Sequence, residues 1–252
     1  MSDAPAYVIV GASGGIGSDL CRRLVSRGPC KIVLAARDPN KLERLADELR
    51  AINGDAEIVT RVTDATDSGA VDALFAAASA TFGTIHGVTN LCGSILLKPA
   101  HLTSDKEFGD TLAVNLLTAF HVLRAAAKAL TGGGSVVLMS TVATKIGLAN
   151  HEAIAAAKGG INGLVISAAA TYAARNIRVN AVAPGLVRTP LAERLTSSEA
   201  TLKASTAMHP LGRIGEPGDV ASVLAWLLDP ATTWVTGQVL SVDGGLSSVR
   251  AK

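Results

Sequence analysis

The stretch Val8–Gly17, VIVGASGGIG, decides how the rest of the chain is read. Three apolar residues, Val8, Ile9 and Val10, run into a turn in which Gly11, Ser13, Gly14, Gly15, Ile16 and Gly17 precede a helical pattern. Glycine permits a tight turn and lets a ligand come close to the backbone. A helix that starts there offers unpaired N–H groups and the positive end of its dipole to an anion. The glycine spacing is G-x-x-x-G-x-G rather than the commoner dinucleotide spacing G-x-G-x-x-G, but the same physics applies. The stretch therefore predicts a cradle for a pyrophosphate, to which Ser13 can add a hydroxyl donor. The competing reading is a glycine turn that holds nothing.

Beyond the turn, short apolar runs alternate with helical patterns. AYVIVGA, KIVLAAR, AEIVTRVTD, IHGVTNLCG, GSVVLMST, IRVNAVAPG and GQVLSVDGG read as strands. Between the early strands, IGSDLCRRLVSRG, PNKLERLADELRAING and GAVDALFAAASATFG read as helices. A long helical region is expected through LAVNLLTAFHVLRAAAKAL, and another from about Glu152 to Arg175. Alternation of this kind predicts an α/β fold, a doubly wound parallel sheet (Rossmann-like) of about seven strands with helices on both faces. Residues 1–252 are read as one dinucleotide-binding domain. The proline-rich region from about 185 to 218 follows a strand end and is expected to form a partly helical lid.

Composition agrees with that architecture and excludes others. Hydrophobic residues make up 48% of the chain and aromatics 3%, so a core of Ala, Val, Leu and Ile is implied. A net charge of +2 without basic runs gives no footprint for nucleic acid. Cys21, Cys30 and Cys92 lack metal-ligand spacing and read as free thiols. No signal-like start or uninterrupted membrane-length apolar run is seen, so a cytoplasmic protein without membrane or nucleic-acid partners is expected.

The second strand ends in AARDPNKL, where a dinucleotide without a 2′-phosphate usually meets a carboxylate. Arg37 comes first and Asp38 behind it. A guanidinium pairs with a 2′-phosphate and stacks on adenine, which favours NADP(H) over NAD(H). The alternative is a solvated Arg37, with Asp38 holding the ribose.

Together these pieces resemble the short-chain dehydrogenase/reductase family in its single-domain form, over nearly the whole chain. Gly11–Gly17 matches its glycine motif, and Asp64, followed by Ala65, its aspartate near the adenine. Asn90–Gly93, NLCG, matches its Asn-Asn-Ala-Gly, with Leu91 and Cys92 as departures. Asn115 in LAVNLL matches the active-site asparagine, and Ser140 in VVLMST the serine after the fifth strand. RVNAVAPGLVRTP, with Pro184, Gly185, Val187 and Thr189, matches the segment at the nicotinamide, and SVDGG is also typical. The resemblance implies hydride transfer between a nicotinamide and a small carbonyl or alcohol. In the family a lysine binds the nicotinamide ribose and lowers a tyrosine's pKa, a serine orients the substrate carbonyl, and an asparagine supports a proton-relay water. Lys158, Ser140 and Asn115 keep those residue types. Each also has a bland reading: a solvated lysine, a loop hydroxyl and a residue satisfying a helix bulge. Asp64 can equally end a strand and cap the next turn.

The family signature Tyr-x-x-x-Lys is broken. Four residues before Lys158 stands Ile154. Tyr7 belongs to the first strand, and Tyr172 lies fourteen positions past Lys158, roughly 21 Å along a helix. His151, three residues before Ile154 and about 5–6 Å away at Cβ, is the nearest candidate to move a proton. His151 can also be a loop residue at a helix start without a role. The readings are therefore an oxidoreductase using His151 or an ordered water, a catalytically inactive NADP(H)-binding sensor or pseudoenzyme subunit, or other chemistry. The Glu152–Arg175 helix is apolar on more than one side, which predicts a homo-oligomer, tetramer or dimer. Leu186, Leu191, Leu195 and Met208 suggest an apolar lid, with Arg188 and Arg194 placed to meet an anion.

Overall fold

A computed structural model describes residues 4–250. Its seven strands are β1 (Ala6–Val10), β2 (Lys31–Ala36), β3 (Glu57–Val62), β4 (Gly87–Asn90), β5 (Gly134–Met139), β6 (Ile177–Pro184) and β7 (Val239–Val242). They form one sheet in the order β3-β2-β1-β4-β5-β6-β7, and every pair is parallel. Val8 stands opposite Val33 on one side and Val88 on the other. Strand order reverses between β1 and β4, so a crevice opens there beyond the carboxyl ends of the strands.

Because helices cover both faces, successive side chains of a central strand are all buried. Val8 and Val10 enter one core layer, and Tyr7 and Ile9 the other. The first layer is closed by α3 (Ser68–Phe82), α5 (Thr118–Ala129) and α6 (Glu152–Tyr172). The second is closed by α1 (Gly15–Val25), α2 (Pro39–Ile52) and α9 (Pro217–Leu228). The small-residue helices α3 and α6 lie close on the sheet, as an Ala-rich, aromatic-poor composition requires. By length and composition Glu152–Arg175 would also cross a membrane, but Ile161, Val165, Ala168 and Ala169 of α6 pack in the core with Val179 and Ala181 of β6.

Three expectations are refined. The long helical region is α4 (Asp105–Leu112), a π-helical segment Ala113–Leu117, and α5. The lid region contains a turn at Pro190–Ala192, α7 (Glu193–Thr196) and α8 (Glu199–Met208). It is pinned to the body by a bridge between Val187 and Gly215, with Arg188 N donating to Gly215 O and Gly215 N to Leu186 O, both at 2.8 Å. The region's end at 218 already belongs to α9, a core helix not singled out from the sequence.

Candidate active site

The glycine turn is assembled by the sheet. Gly11 N and Ala12 N both donate to Ala35 O of β2, at 2.8 and 3.1 Å. Gly11 adopts φ +83°, a left-handed conformation that favours glycine. A Cβ on Gly17 would stand 2.4 Å from Gly11 O and 2.8 Å from Ala12 O, so the turn and the helix start touch backbone to backbone. Four helices of the fold carry their own side-chain caps: Asp38 on α2, Asp67 on α3, Ser104 on α4 and Ser198 on α8. At α1, Gly14 holds the cap position and offers no side chain. The N–H groups of Gly15, Ile16 and Gly17 find no acceptor among the described residues. Three converging donors at the positive end of a helix fit a pyrophosphate.

These amides open on a cleft of about 210 Å³ at the β1–β4 crevice. Of the residues expected from the sequence, it brings together Gly11, Gly14, Gly15, Ile16, Gly17, Gly93, Asn115, Ser140, Lys158, Pro184, Gly185, Val187 and Thr189. Ile154 also lines it, as do Leu186 and Leu191 of the expected apolar lid, together with Leu91, Cys92 and Met139, which were given no role at the site. A larger groove of about 600 Å³ lies at the other end of the sheet, around Gly132–Ser135 and Trp234. It has no helix start with free amides, and volume alone does not make it the better site.

Lys158 is buried at the floor of the cleft, 5% exposed, and its Nζ donates to Met139 O at 2.8 Å. Burial pushes its pKa down to about 8, against a smaller upward pull from Cys92. Burial likewise raises the Cys92 thiol to about 11, opposed chiefly by the charge of Lys158. Asn115 sits in the π-helical segment. Its Nδ2 donates to Ser94 Oγ at 2.9 Å and Thr111 O at 3.0 Å, and its Oδ1 accepts from Ser94 N at 3.1 Å. A Cβ on Gly93 would stand 3.2 Å from Asn115 Oδ1 and 3.8 Å from Lys158 Nζ. Both atoms thus converge over the space that Gly93 leaves open.

The proton of Ser140 can be placed by following a chain of hydrogen bonds. Thr144 Oγ1 donates to Thr141 O at 2.7 Å, a carbonyl that only accepts. Thr144 must then accept from Asn162 Nδ2, at 3.0 Å, which leaves Asn162 Oδ1 as an acceptor. Ser140 Oγ donates to that oxygen at 2.6 Å. Ser140 therefore faces the cleft with lone pairs, its hydrogen committed to α6. Asn162 was invisible in the sequence, a polar residue inside a small-residue helix.

The remaining expected residues stand outside the cleft lining. Asn90 braces the β4 turn, donating to Thr118 Oγ1 at 3.0 Å and accepting from Cys92 N at 3.2 Å. Asp64 accepts from Thr66 N and Oγ1, at 2.9 and 2.8 Å, and these bonds, with Arg37 nearby, lower its pKa. Ala65 O accepts from buried His121 at 3.1 Å. Asp38 is used as the α2 cap, accepting from Lys41 N at 3.1 Å. Arg37 is exposed at the end of β2 and makes no hydrogen bond or ion pair among the described residues. Ser13 lies half-buried in the turn. His151 occupies the N-cap position of α6, directly after Asn150 at φ +65°. Its Nδ1 donates to Ala149 O at 2.8 Å, and the ring does not line the cleft.

A family model described as enoyl-(acyl carrier protein) reductase matches residues 11–247. The chain belongs to the short-chain dehydrogenase/reductase family. A chloroplastic tropinone reductase homolog of Arabidopsis thaliana is 34% identical over 244 residues, covering 95% of this chain and 74% of that one. A short-chain dehydrogenase/reductase structure from Mycobacterium ulcerans superposes with a TM-score of 0.93 at 31% identity, over 100% of this chain and 93% of the other. An actinorhodin polyketide ketoreductase solved with NADPH gives a TM-score of 0.90 at 29% identity, over 99% of both chains. Short-chain dehydrogenases/reductases are oxidoreductases that bind nicotinamide cofactors and act on small molecules. The expected α/β fold with seven parallel strands is thus the fold of this family.

Proposed function

We propose that the chain is an NADP(H)-dependent oxidoreductase that transfers a hydride between the nicotinamide and a carbonyl or alcohol of a small molecule. The observation that carries this reading is one cleft holding both the uncapped start of α1 and the buried ammonium of Lys158. The bound dinucleotide would supply the hydride. The amides of Gly15, Ile16 and Gly17 would hold its pyrophosphate, and Lys158 its nicotinamide ribose. Arg37 supports the 2′-phosphate preference, because it is unpaired while its neighbour Asp38 is spent on a helix cap. Asp64 keeps Oδ2 free for the adenine side.

A proton must still reach the substrate oxygen. A water held between Lys158 Nζ and Asn115 Oδ1 over Gly93 fits better than His151, whose Nδ1 proton is committed to Ala149 O. Residues 185–218 would act as the lid of a single dinucleotide-binding domain. The exposed apolar side chains of Leu117 and Phe120, beside Gly160 and Leu164 of α6, support a homo-oligomer. The three unpaired cysteines accord with a reducing, cytoplasmic setting.

One observation favours a second reading. Ile154 puts a buried apolar side chain in the cleft one helical turn before Lys158, which suits a protein that binds NADP(H) without turnover. Calorimetry with NADPH, followed by NADPH oxidation against a panel of ketones and aldehydes, separates the two. Binding with turnover supports the oxidoreductase, binding without turnover the sensor, and no binding removes both. Ile154→Tyr should raise any turnover by roughly 10²–10⁴-fold, the usual contribution of a positioned acid.

A further inference from the structure

We propose that Lys158 is itself the acid that protonates the substrate oxygen, rather than an aid to another proton donor. This rests on the oxidoreductase reading above. Only two side chains lining the cleft ionise in water, Lys158 and Cys92. Ser140 Oγ lies 3.4 Å from Lys158 O, and its hydrogen is held by Asn162 Oδ1 at 2.6 Å. That orientation is fixed from Thr141 O through Thr144 and Asn162, so Ser140 accepts at the cleft and does not give. Asn115 spends both Nδ2 hydrogens on Ser94 and Thr111. Ile154 has no proton to offer, and His151 does not line the cleft.

Lys158 differs from all of these. An ammonium carries three N–H bonds, and one is used on Met139 O at 2.8 Å. Two are left for the cleft. Its burial is the second support, since an ammonium pushed down to about 8 gives up its proton near neutral pH far more readily than a surface lysine. The thiol of Cys92 is moved the other way, to about 11, and is the weaker acid of the pair.

The step balances as follows. The carbonyl carbon receives a hydride from a reduced nicotinamide dinucleotide, which is oxidised, and the C=O π pair moves to oxygen. One N–H bond of Lys158 breaks and one O–H bond forms, directly or across the water over Gly93. The neutral amine left behind regains its proton from solvent at the cleft mouth. In the oxidative direction the neutral amine accepts the proton.

Two measurements test this. In the free protein, ¹³C-methylated lysines are titrated by NMR. Lys158, identified by its absence in Lys158→Arg, should titrate near 8, apart from surface lysines, which titrate around 10.4. With NADPH and whichever ketone of the panel is reduced, kcat/KM should be level below about pH 7 and fall tenfold per unit well above 8. Lys158→Arg keeps the cation but not a proton it can release, so kcat should drop by about 10²-fold or more while NADPH affinity changes less than tenfold. Lys158→Ala should regain rate with added ethylammonium. A wild-type profile with no limb between pH 7 and 9, wild-type turnover in Lys158→Arg, or titration of Lys158 among the surface lysines would each overturn the proposal while leaving the oxidoreductase reading intact. Failure of wild type to reduce any carbonyl would end both.

Discussion

Replacing Gly17 by alanine tests the joint between the turn and α1. The new Cβ would stand 2.4 Å from Gly11 O, where real contacts stay above 3.0 Å, so at least about 0.6 Å of backbone movement is required. The turn resists this, since Gly11 and Ala12 are both anchored on Ala35 O. Forced overpacking costs about 1–3 kcal/mol, and alanine's better helix propensity returns up to about 1 kcal/mol. A net loss of roughly 1–2 kcal/mol lowers Tm by about 2–8 °C in a chain of this size. The amides that move are those read as the anion cradle, and a charge-assisted hydrogen bond contributes about 1.5–3 kcal/mol, so NADPH should bind about 10–100-fold more weakly. Gly15→Ala is the control. Its Cβ would meet Thr189 Cγ2 at 3.0 Å and Pro190 Cδ at 3.3 Å, side-chain atoms of the lid that can yield, so Tm should fall less. Differential scanning calorimetry and isothermal titration read the two effects. Unchanged Tm and unchanged NADPH affinity in Gly17→Ala would refute the reasoning that this crowded turn shapes the cradle.

Arg37→Ala should weaken NADP(H) at least tenfold and NAD(H) little; equal losses by fluorescence titration would strip Arg37 of its assigned partner. Gly93→Ala puts a methyl 3.2 Å from Asn115 Oδ1 and 3.8 Å from Lys158 Nζ, in the space proposed for a proton-carrying water, so kcat should fall about tenfold or more at nearly constant NADPH affinity, as steady-state kinetics would record. Asn162→Leu removes two side-chain hydrogen bonds of α6 and leaves Thr144 Oγ1 without its donor, which should cost about 1–3 kcal/mol in urea unfolding. The same change frees the Ser140 proton to turn to the cleft, so KM for a ketone should fall; a KM that stays put would mean that Ser140 never meets substrate.

Much of this architecture could be read in advance because local signals and tertiary demands agree. The strand–glycine–helix start at Val8–Gly17, the β-branched buried strands and the Ala-rich covering helices each state one structural need in residue types. α9 escaped notice because Pro217 and Gly218 look like loop residues, yet Pro217 is at a helix start and Glu216 with Asp219 forms a reciprocal cap. For the candidate site, many of the residues that share the cleft were named in the sequence, but the direction of their hydrogen bonds was not legible. Asn90 and Asp64 lie outside the cleft lining, and only their partners, Thr118 and Thr66, show the bracing that they provide. His151 fell on the expected helical spacing, but spacing cannot say that the helix begins there and that the ring turns back to Ala149. The orientation of Ser140 depends on Asn162, 22 positions away.

The start of α1 has one more consequence. Four helices of this fold finish themselves with an aspartate or serine, whereas α1 has no side-chain cap, and the proposed function fills that place with an anion from outside. If that anion is a dinucleotide, it acts as a removable building block, and at a hundred times its Kd it would add about 2.7 kcal/mol to the folded state. Shortage of the nucleotide would then shorten the life of the protein among proteases, tying its abundance to the metabolic state of its surroundings.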